Sequence, residues 1–338
     1  MKVKPNEICF LNYINGLDHS NNLPDYWKYS YGINPNKVTK KLIELGFLEF
    51  RLNIERNISN LKIPHLKELL KSNNLPLKGN KNDLIARIFE NIDLSYLEKQ
   101  FPEKSYCLTS SGKNLIENNY LFIINQKENY CFEEADIIKI YQMYSNKDNK
   151  EKLIELFNFV IQKDLLLKEY TDLELRIWQF YNFYLKVDLY NEALFFFIVD
   201  FKLKLFNFRT ISNEILLDDV SYITFSEHFI DKLKNIVSLT EASFTYLKNI
   251  IDTGQITVHL PFKYFSNDEC YKILLDLLDN KFFNIKNYQI NKPARNNPNY
   301  TYYGYNDAEL LNLQETTNKK SNNLIIDIFN SFFSKGKH

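Results

Sequence analysis

Residues 61–92 read LKIPHLKELLKSNNLPLKGNKNDLIARIFENI, and this stretch decides how the front of the chain folds. Its first part carries apolar residues at helical spacing, namely Ile63, Leu66, Leu69 and Leu70. Asn73-Asn74 ends that helix, and Leu75-Pro76 begins an extended link because a residue before proline avoids the α region. A second amphipathic helix follows, with apolar residues Leu84, Ile85, Ile88 and Phe89. The pattern predicts two short helices around an extended link.

Positive charge is concentrated in this segment, which holds six Lys and Arg residues against three acidic residues. Lys78, Asn80 and Lys81 stand where the second helix begins, so cations and free helix N–H groups are expected together. That combination is typical of a phosphate-binding site. Gly79 is one of only eight glycines in 338 residues, which indicates a backbone position that needs a positive φ.

The order of these features resembles the SAP domain, a small helix–extended–helix module that binds DNA. The resemblance rests on Leu66-Lys67-x-Leu69-Leu70, Leu75-Pro76, Gly79-x-Lys81 and Leu84-Ile85-x-Arg87-Ile88. It implies binding of double-stranded DNA through the phosphate backbone. The candidate DNA-binding residues of this module are Lys67, Lys71, Lys78, Asn80, Lys81 and Arg87. The alternative is an ordinary helical hairpin whose charged face is solvated.

The flanking residues predict a second DNA-binding fold that the module interrupts. Three short helices are expected over residues 5–13, 23–29 and 35–45, the last opened by Asn34 as N-cap and Pro35 as first helical residue. Strands are expected at residues 47–52 and 105–108. Two strings resemble the recognition-helix end and the returning wing strand of bacterial winged-helix proteins, namely Leu45-Gly46-Phe47-Leu48 and Tyr106-x-Leu108-Thr109-x-x-Gly112-Lys113.

An insertion at the tip of a wing has a small entropic cost, because both strand ends stay close together. The predicted domains are a split winged helix (1–58 and 93–127), the SAP-like module (59–92) and a helical domain (128–338). On the candidate recognition helix, Lys37, Lys40 and Lys41 are further candidate DNA contacts, and the Thr39 hydroxyl is expected to be available to a base edge. A solvated helix face is the alternative for these lysines.

The rest of the chain predicts a helical domain for oligomerisation or protein contact. Helices are expected over residues 132–144, 151–163, 172–186, 191–207, 266–279 and 323–333, with a short strand at 255–260 and a long connector at 284–306. The third and fourth helices resemble one tetratricopeptide hairpin, except that Tyr181 stands where a small residue is usual. The aromatic residues here are expected to form core, and the alternative is an aromatic surface for a second copy of the protein; they are Trp178, Phe180, Tyr181, Phe183, Tyr184, Phe195, Phe196 and Phe197.

Composition and motif spacing argue against several other classes of protein. The net charge is zero, but residues 1–127 hold 18 basic and 13 acidic side chains, whereas the remainder holds 24 and 29. Thr109-Ser110-Ser111-Gly112-Lys113 lacks the glycine and hydroxyl positions of a P-loop. The four cysteines are far apart, which favours buried free thiols over a disulfide scaffold or a metal site. With no signal peptide and no long apolar run, a cytoplasmic protein without membrane contact, metal or cofactor is expected.

Together these features predict a mainly α protein that binds duplex DNA without catalytic activity, with a regulatory, replication or segregation role. The resemblance implies a phage, a plasmid or a low-GC bacterium as its source. The helical domain is expected to form a homodimer or recruit a partner. The alternative function is a protein-interaction factor, an adaptor or an inhibitor of a host system, whose winged helix binds protein. An enzyme is disfavoured because pairs such as Asp218-Asp219 have no third ligand at a suitable spacing.

Overall fold

A computed structural model describes residues 3–18, 23–253, 260–294 and 296–303. The chain divides into two compact units, Met1–Leu156 and Phe157–His338. The first unit therefore extends beyond residue 127, where the sequence placed the end of the winged-helix domain. The boundary falls inside a long helix, Asn149–Leu167.

The first unit is mainly helical and contains one two-stranded sheet. Its elements, in chain order, are α1 (Pro5–Ile14), α2 (Tyr26–Tyr29), α3 (Pro35–Glu44), β1 (Leu48–Leu52), α4 (Ile54–Asn60), α5 (Ile63–Ser72), α6 (Lys81–Asn91), α7 (Leu94–Gln100), β2 (Lys104–Leu108), α8 (Ser110–Glu117), α9 (Tyr120–Glu128), α10 (Glu134–Met143) and α11 (Asn149–Leu167), the last running across the boundary. The three helices and two strands predicted around the module are all present.

Local sequence explains how α3 begins and how the chain enters β1. The Asn34 side chain accepts a hydrogen bond from the Lys37 amide, and Pro35 occupies the first turn, where its missing N–H costs little. Gly46 ends this helix with φ +73°, a conformation that suits glycine. The chain can then turn directly into β1.

The strands β1 and β2 pair antiparallel, from Leu48 opposite Leu108 to Leu52 opposite Lys104. Residues 53–103 therefore leave and re-enter the sheet at two adjacent points. The string around Gly112, which superficially resembles a phosphate loop, caps α8 instead. Thr109 accepts from the Gly112 amide at 3.0 Å and donates to the Gly46 carbonyl at 2.6 Å. A Cβ on Gly112 would lie 2.0 Å from the Phe47 carbonyl oxygen, so glycine is required for this close approach.

The inserted segment has its own hydrophobic core and is larger than the sequence predicted. Two helices that the sequence reading did not identify, α4 and α7, flank α5 and α6. The buried core residues are Ile54, Ile58, Leu66, Leu70, Leu84, Ile88, Ile92 and Leu97. Ile63 and Phe89 were expected in the apolar stripes, but their side chains are 43% and 36% exposed. The residues from 54 to 101, here called the inserted module, thus form a small four-helix body closed around leucine and isoleucine.

Side-chain hydrogen bonds fasten the inserted module to the sheet. Asn57 donates through Nδ2 to the carbonyls of Phe101 and Glu103, at 3.1 and 2.9 Å. Asn53 caps α4 and also donates to the Cys107 thiol at 3.2 Å. The entry and exit of the module are therefore held together by side chains as well as by the β1–β2 ladder.

The second unit combines helices with a four-stranded sheet. Its further elements are α12 (Tyr170–Lys186), α13 (Tyr190–Phe206), β3 (Phe208–Ile211), β4 (Glu214–Asp218), α14 (Glu227–Thr240), α15 (Phe244–Thr253), α16 (Asn267–Leu278), β5 (Asn296–Asn297) and β6 (Tyr300–Tyr303). The strand order is β3-β4-β6-β5, with β6 parallel to β4. The predicted all-helical domain is therefore wrong in one respect, because this sheet is part of the unit.

The sheet arises from a hairpin that the sequence reading did not identify. Ser212 and Asn213 link β3 to β4 and have φ values of +50° and +67°, as a tight turn of the type common in hairpins requires. The connector expected over residues 284–306 supplies β5 and β6 instead of remaining irregular. The strand expected at 255–260 lies almost wholly, and the helix expected at 323–333 wholly, outside the described residues.

Aromatic side chains form much of the core of the second unit, as predicted. Phe157 stacks on Phe180 with ring centroids 4.6 Å apart, and Tyr181 meets Phe197 edge-on at 5.1 Å. Tyr181 is thus buried between α12 and α13, where the tetratricopeptide pattern has a small residue. Trp178 departs from the expectation, because 47% of its side chain is exposed. The helices expected at 172–186 and 191–207 are both present as α12 and α13.

One carboxylate in this core is completely buried. Asp200 on α13 lies 3.2 Å from the Lys204 ammonium, which also pairs with Glu174. Burial raises the pKa of Asp200 to about 7, although Lys204 acts in the opposite direction. Burial likewise raises the pKa of Asp164 to about 6, against the attraction of Arg176.

These raised pKa values predict that the second unit loses stability as the pH rises from about 4 to about 7. In that window the folded state holds the Asp200 proton more tightly than the unfolded chain, so the unfolding free energy falls with pH. Asp200→Asn, which cannot ionise, is expected to be more stable than the parent by roughly 1–3 kcal/mol at pH 7.5 and by less at pH 5. Hydrogen exchange of α13 amides at the two pH values measures this. A variant less protected than the parent at pH 7.5 would contradict it.

Candidate nucleic-acid interface

The site predicted from residues 61–92 is built on α5, α6 and the link between them. Leu66 and Leu70 of α5 pack in the same core as Leu84 and Ile88 of α6, so both helices are fixed by burial. The remaining face of α5 carries Lys67 and Lys71, which are exposed and lie one helical turn apart. Lys78 is exposed on the link, and Lys81 is partly exposed at the first position of α6.

The link has a defined conformation from end to end. Asn74 closes α5 with φ +57°, and the Leu75 amide donates to the Leu70 carbonyl at 2.9 Å. Gly79 has φ +139°, so the predicted need for a positive φ is confirmed. A Cβ at Gly79 would lie 2.8 Å from Asp83 Cβ. Glycine is therefore favoured here both by the backbone φ value and by the lack of space for a side chain.

Arg87 contributes to the link from within α6. Its Nη1 donates to the Pro76 carbonyl at 2.6 Å and to the Lys78 carbonyl at 3.1 Å. The guanidinium therefore fastens the backbone on both sides of Leu77. The sequence placed Arg87 among the phosphate contacts; the structure gives it a positioning role in the link.

The start of α6 is occupied by a capping box. Asn80 Oδ1 accepts from the Asp83 amide at 3.1 Å, and Asp83 Oδ2 accepts from the Asn80 amide at 2.9 Å. Two of the N–H groups expected to be free are therefore satisfied within the chain. The Asp83 carboxylate also places a negative charge in the first turn. Asn80 acts as a helix cap, so two fewer N–H groups at the start of α6 are open to a phosphate than the sequence predicted.

The candidate residues on α3 divide into two groups. Lys37 and Lys40 are exposed. The Lys41 ammonium lies 2.7 Å from Glu7 Oε2, and Glu7 is buried. Burial acts to raise the pKa of Glu7, but hydrogen bonds from Lys41 and the Lys4 amide hold that pKa below its usual value. Lys41 therefore neutralises a buried carboxylate.

The Thr39 hydroxyl is not available to a base edge. Thr39 is buried, and its Oγ1 donates to the Pro35 carbonyl at 2.9 Å, one turn back along α3. The structure thus leaves Lys37 and Lys40 as the exposed cations of this helix among the residues that the sequence singled out.

Other chemistry is limited in the described part of the chain. Cys9, Cys107 and Cys270 are buried free thiols as expected, whereas Cys131 is exposed. Burial raises the pKa of Cys9 and of Cys270 to about 12, so neither is a thiolate at neutral pH. Within the described ranges, the structure has no cluster of three or more His, Cys, Asp or Glu side chains placed to hold a metal ion. Nor is any described helix long and apolar enough to cross a membrane.

The helices, link and cations described above define a compact helix–extended–helix unit. The family model of the SAP domain matches residues 57–91, which include part of α4, all of α5 and the link, and α6. The chain therefore contains a SAP domain, a module that suggests binding of nucleic acid. The match covers a small part of the chain. A search of curated proteins finds no match.

The sequence reading missed the residues that fix the SAP domain in place. Nothing in a helical pattern identifies Asn57 as the side chain that joins the two ends of the inserted module. The role of Arg87 was also missed, since a carbonyl contact across the link depends on the fold. A signal for α7 was present, because Asp93 is a good N-cap and its carboxylate accepts from the amides of Ser95 and Tyr96.

We expect Gly79→Ala to destabilise the inserted module by about 1–2 kcal/mol, because alanine disfavours this φ and its Cβ would collide with Asp83. Hydrogen exchange of α5 and α6 amides reports this loss directly. Gly32→Ala is the matched control, since Gly32 also has a positive φ but open space around it. Equal losses for α5 and α6 protection in both variants would refute the role assigned to Gly79.

Proposed function

We propose that this protein binds double-stranded DNA, mainly through phosphate contacts of its SAP domain, and that it has no catalytic activity. The observation that carries the proposal is the SAP domain at residues 57–91, in which Lys67, Lys71, Lys78 and Lys81 lie on α5, the link and the start of α6. Each of these lysines is at least partly exposed. Phosphate oxygens are the usual partners of such exposed cations in protein–DNA complexes.

We also propose that the residues around the SAP domain form a winged helix. The order of α1, α2, α3 and the β1–β2 hairpin supports this, with α3 as the recognition helix and the inserted module at the tip of the wing. Lys37 and Lys40 would then add DNA contacts from α3. A DNA-binding protein of this kind would suit a role in replication, segregation or transcription, in a phage, a plasmid or a low-GC bacterium.

Electrostatic attraction in this proposal is local, because the two structural units differ little in charge. Residues 1–156 hold 22 basic and 20 acidic side chains, and residues 157–338 hold 20 and 22. The stronger asymmetry at residue 127 does not coincide with a structural boundary. Binding therefore depends on where individual lysines lie and not on the net charge of a unit.

The double variant Lys78→Glu/Lys81→Glu is expected to weaken binding to a duplex by at least tenfold at about 100 mM salt. It removes two phosphate contacts and adds two repulsive charges beside the DNA. The slope of log affinity against log salt concentration is expected to become shallower by about 0.9 for each lost contact. A gel-shift or fluorescence-anisotropy titration over a salt series measures both quantities.

Lys127→Glu/Lys150→Glu makes the same change of charge at two exposed lysines of the first unit outside the inserted module, and it is expected to retain parental binding. The alternative function, a protein-interaction factor, gains support if the parent protein binds no duplex. It also gains support if parent and Lys78/Lys81 variant bind alike.

For the second unit we propose contact with a second copy of the chain. Trp178 and Leu175 on α12 are 47% and 41% exposed and lie about one helical turn apart. A large aromatic side chain in water is typical of a protein interface.

Trp178→Asp is expected to convert a dimer to a monomer without changing the affinity for short DNA. Sedimentation velocity over a concentration series gives the oligomeric state, and the same samples give DNA binding. Glu192→Asp, an exposed position on α13, serves as the control. A parent protein that sediments as a monomer at all concentrations, or a Trp178 variant that still dimerises, would refute this contact.

A further inference from the structure

A cluster of aromatic rings lies in the first unit outside the SAP domain. Residues 23–31 read LPDYWKYSY and hold three tyrosines and one tryptophan. The Tyr26 ring centroid lies 6.3 Å from that of Tyr13 on α1 and 6.0 Å from that of Tyr31. The Trp27 and Tyr31 rings are 4.8 Å apart. We call Tyr13, Tyr26, Tyr29 and Tyr31 the tyrosine patch.

Part of this patch faces water, although its base is fixed in the core. Tyr29 is 77% exposed and Tyr26 is 39% exposed. They are three residues apart on α2, so they occupy neighbouring positions on one side of the helix. Trp27 is completely buried and meets the Phe10 ring at 5.1 Å. The buried indole thus anchors α2, and the tyrosines are presented on a fixed support that loses little freedom when it binds a ligand.

Two buried polar atoms at the patch have no hydrogen-bond partner among the described residues. One is the Trp27 indole nitrogen. Burial and then the Tyr13 and Tyr31 hydroxyls raise the pKa of Tyr26, whereas the Trp27 N–H acts to lower it, so that N–H lies near the Tyr26 hydroxyl without normal hydrogen-bond geometry. The other is Asn6 Oδ1, although Asn6 Nδ2 donates to the Tyr31 carbonyl at 2.7 Å. Buried polar atoms without partners are rare, and a ligand or an ordered water commonly supplies the missing bond.

The charge beside the tyrosines indicates the kind of ligand. Lys28 Nζ lies 5.4 Å from the centre of the Tyr29 ring. Residues 23–40 hold three lysines and one acidic residue, Asp25. A cationic ligand of the type that aromatic cages bind would be repelled by these lysines. A ligand that combines an aromatic face with negative charge is attracted by both the ring and the ammonium.

A single strand of nucleic acid has this combination, because each nucleotide carries a π face and a phosphate. Proteins that bind single strands stack bases on aromatic side chains and hold the backbone with cations. Within a duplex the base faces are covered by neighbouring base pairs, so such stacking requires unpaired bases. An unpaired base also brings hydrogen-bond donors and acceptors on its free edge, which are the two kinds of group that Trp27 and Asn6 lack.

We propose that the tyrosine patch binds single-stranded nucleic acid by stacking unpaired bases on Tyr26 and Tyr29, with Lys28 bound to a phosphate. This site is separate from the SAP domain and does not depend on the proposed binding of duplex DNA. It assigns a second ligand class, unpaired bases, to a different surface of the first unit.

The test titrates the full chain into labelled oligo(dT) and oligo(rU) of about 12 nucleotides, which form no duplex, and follows anisotropy. At least one of them is expected to bind, and the pair distinguishes DNA from RNA as the ligand. Tyr29→Ala is expected to weaken that binding about fivefold or more, because one stacking ring is lost. Tyr29→Phe keeps the ring and is expected to bind within about twofold of the parent. Since Tyr29 is largely exposed, neither change is expected to disturb the fold.

Tyr246→Ala is the matched control, since Tyr246 is a 38% exposed tyrosine of the second unit, and it is expected to bind the oligonucleotide as the parent does. Lys78→Glu/Lys81→Glu is also expected to keep this binding. The inference is overturned if the parent binds neither oligonucleotide, if Tyr29→Ala binds like the parent, or if the Lys78/Lys81 variant loses single-strand binding. A parent that binds single strands through Tyr29 but no duplex overturns the proposed function and supports this inference.

Discussion

The pairing of β1 with β2 is the constraint on which the first unit depends. Because Leu52 lies opposite Lys104, the chain can leave the sheet for the whole inserted module and return to the same place. The cost of closing such a loop grows slowly with its length, and here the core around Leu66 and Leu84 offsets it. Asn57 then donates hydrogen bonds to the carbonyls of Phe101 and Glu103, where the chain leaves the inserted module. The SAP domain is therefore bonded to the segment that returns to the sheet and does not hang on a flexible linker.

That attachment has a consequence for recognition. A module on a flexible linker binds with an effective concentration set by the linker, whereas a module fixed at both ends has one orientation relative to its support. In this chain the support includes α3 through β1, since α3 turns directly into that strand at Gly46. Under the proposed function, the SAP domain and α3 meet DNA as one preorganised body within the first unit.

Local sequence predicted most elements of the first unit because their signals are local. The cap at Asn34, the link at Leu75-Pro76 and the glycine at position 79 each act within a few residues. The pairing of residue 87 with the carbonyls of residues 76 and 78 depends on how two helices cross, and no periodicity encodes it. The same holds for Lys41, whose partner Glu7 lies on another helix. Local sequence therefore did not show that two of the candidate cations, Lys41 and Arg87, hold bonds within the protein.

The β-sheet of the second unit shows the same limit on what local sequence can predict. The helices α12 and α13 were predicted because aromatic and aliphatic residues recur along them at helical spacing. The strands β3 and β4 are short, and the turn between them has serine and asparagine in place of glycine, so the usual hairpin signal is missing. The strand β6 joins β4 in parallel from about eighty residues later in the chain. Such a pairing is a property of the fold and has no local signature.

The structural roles of three candidate residues set a bound on the proposed binding mechanism. Nine residues were nominated from the sequence; Asn80 caps a helix, Arg87 fastens the link and Lys41 neutralises Glu7. Six lysines remain, namely Lys37, Lys40, Lys67, Lys71, Lys78 and Lys81. If each releases counterions from one phosphate, the salt slope is about −5 at most. A steeper slope would require cations from outside this set, and a slope of about −3.6 would fit binding by the four lysines of the SAP domain alone.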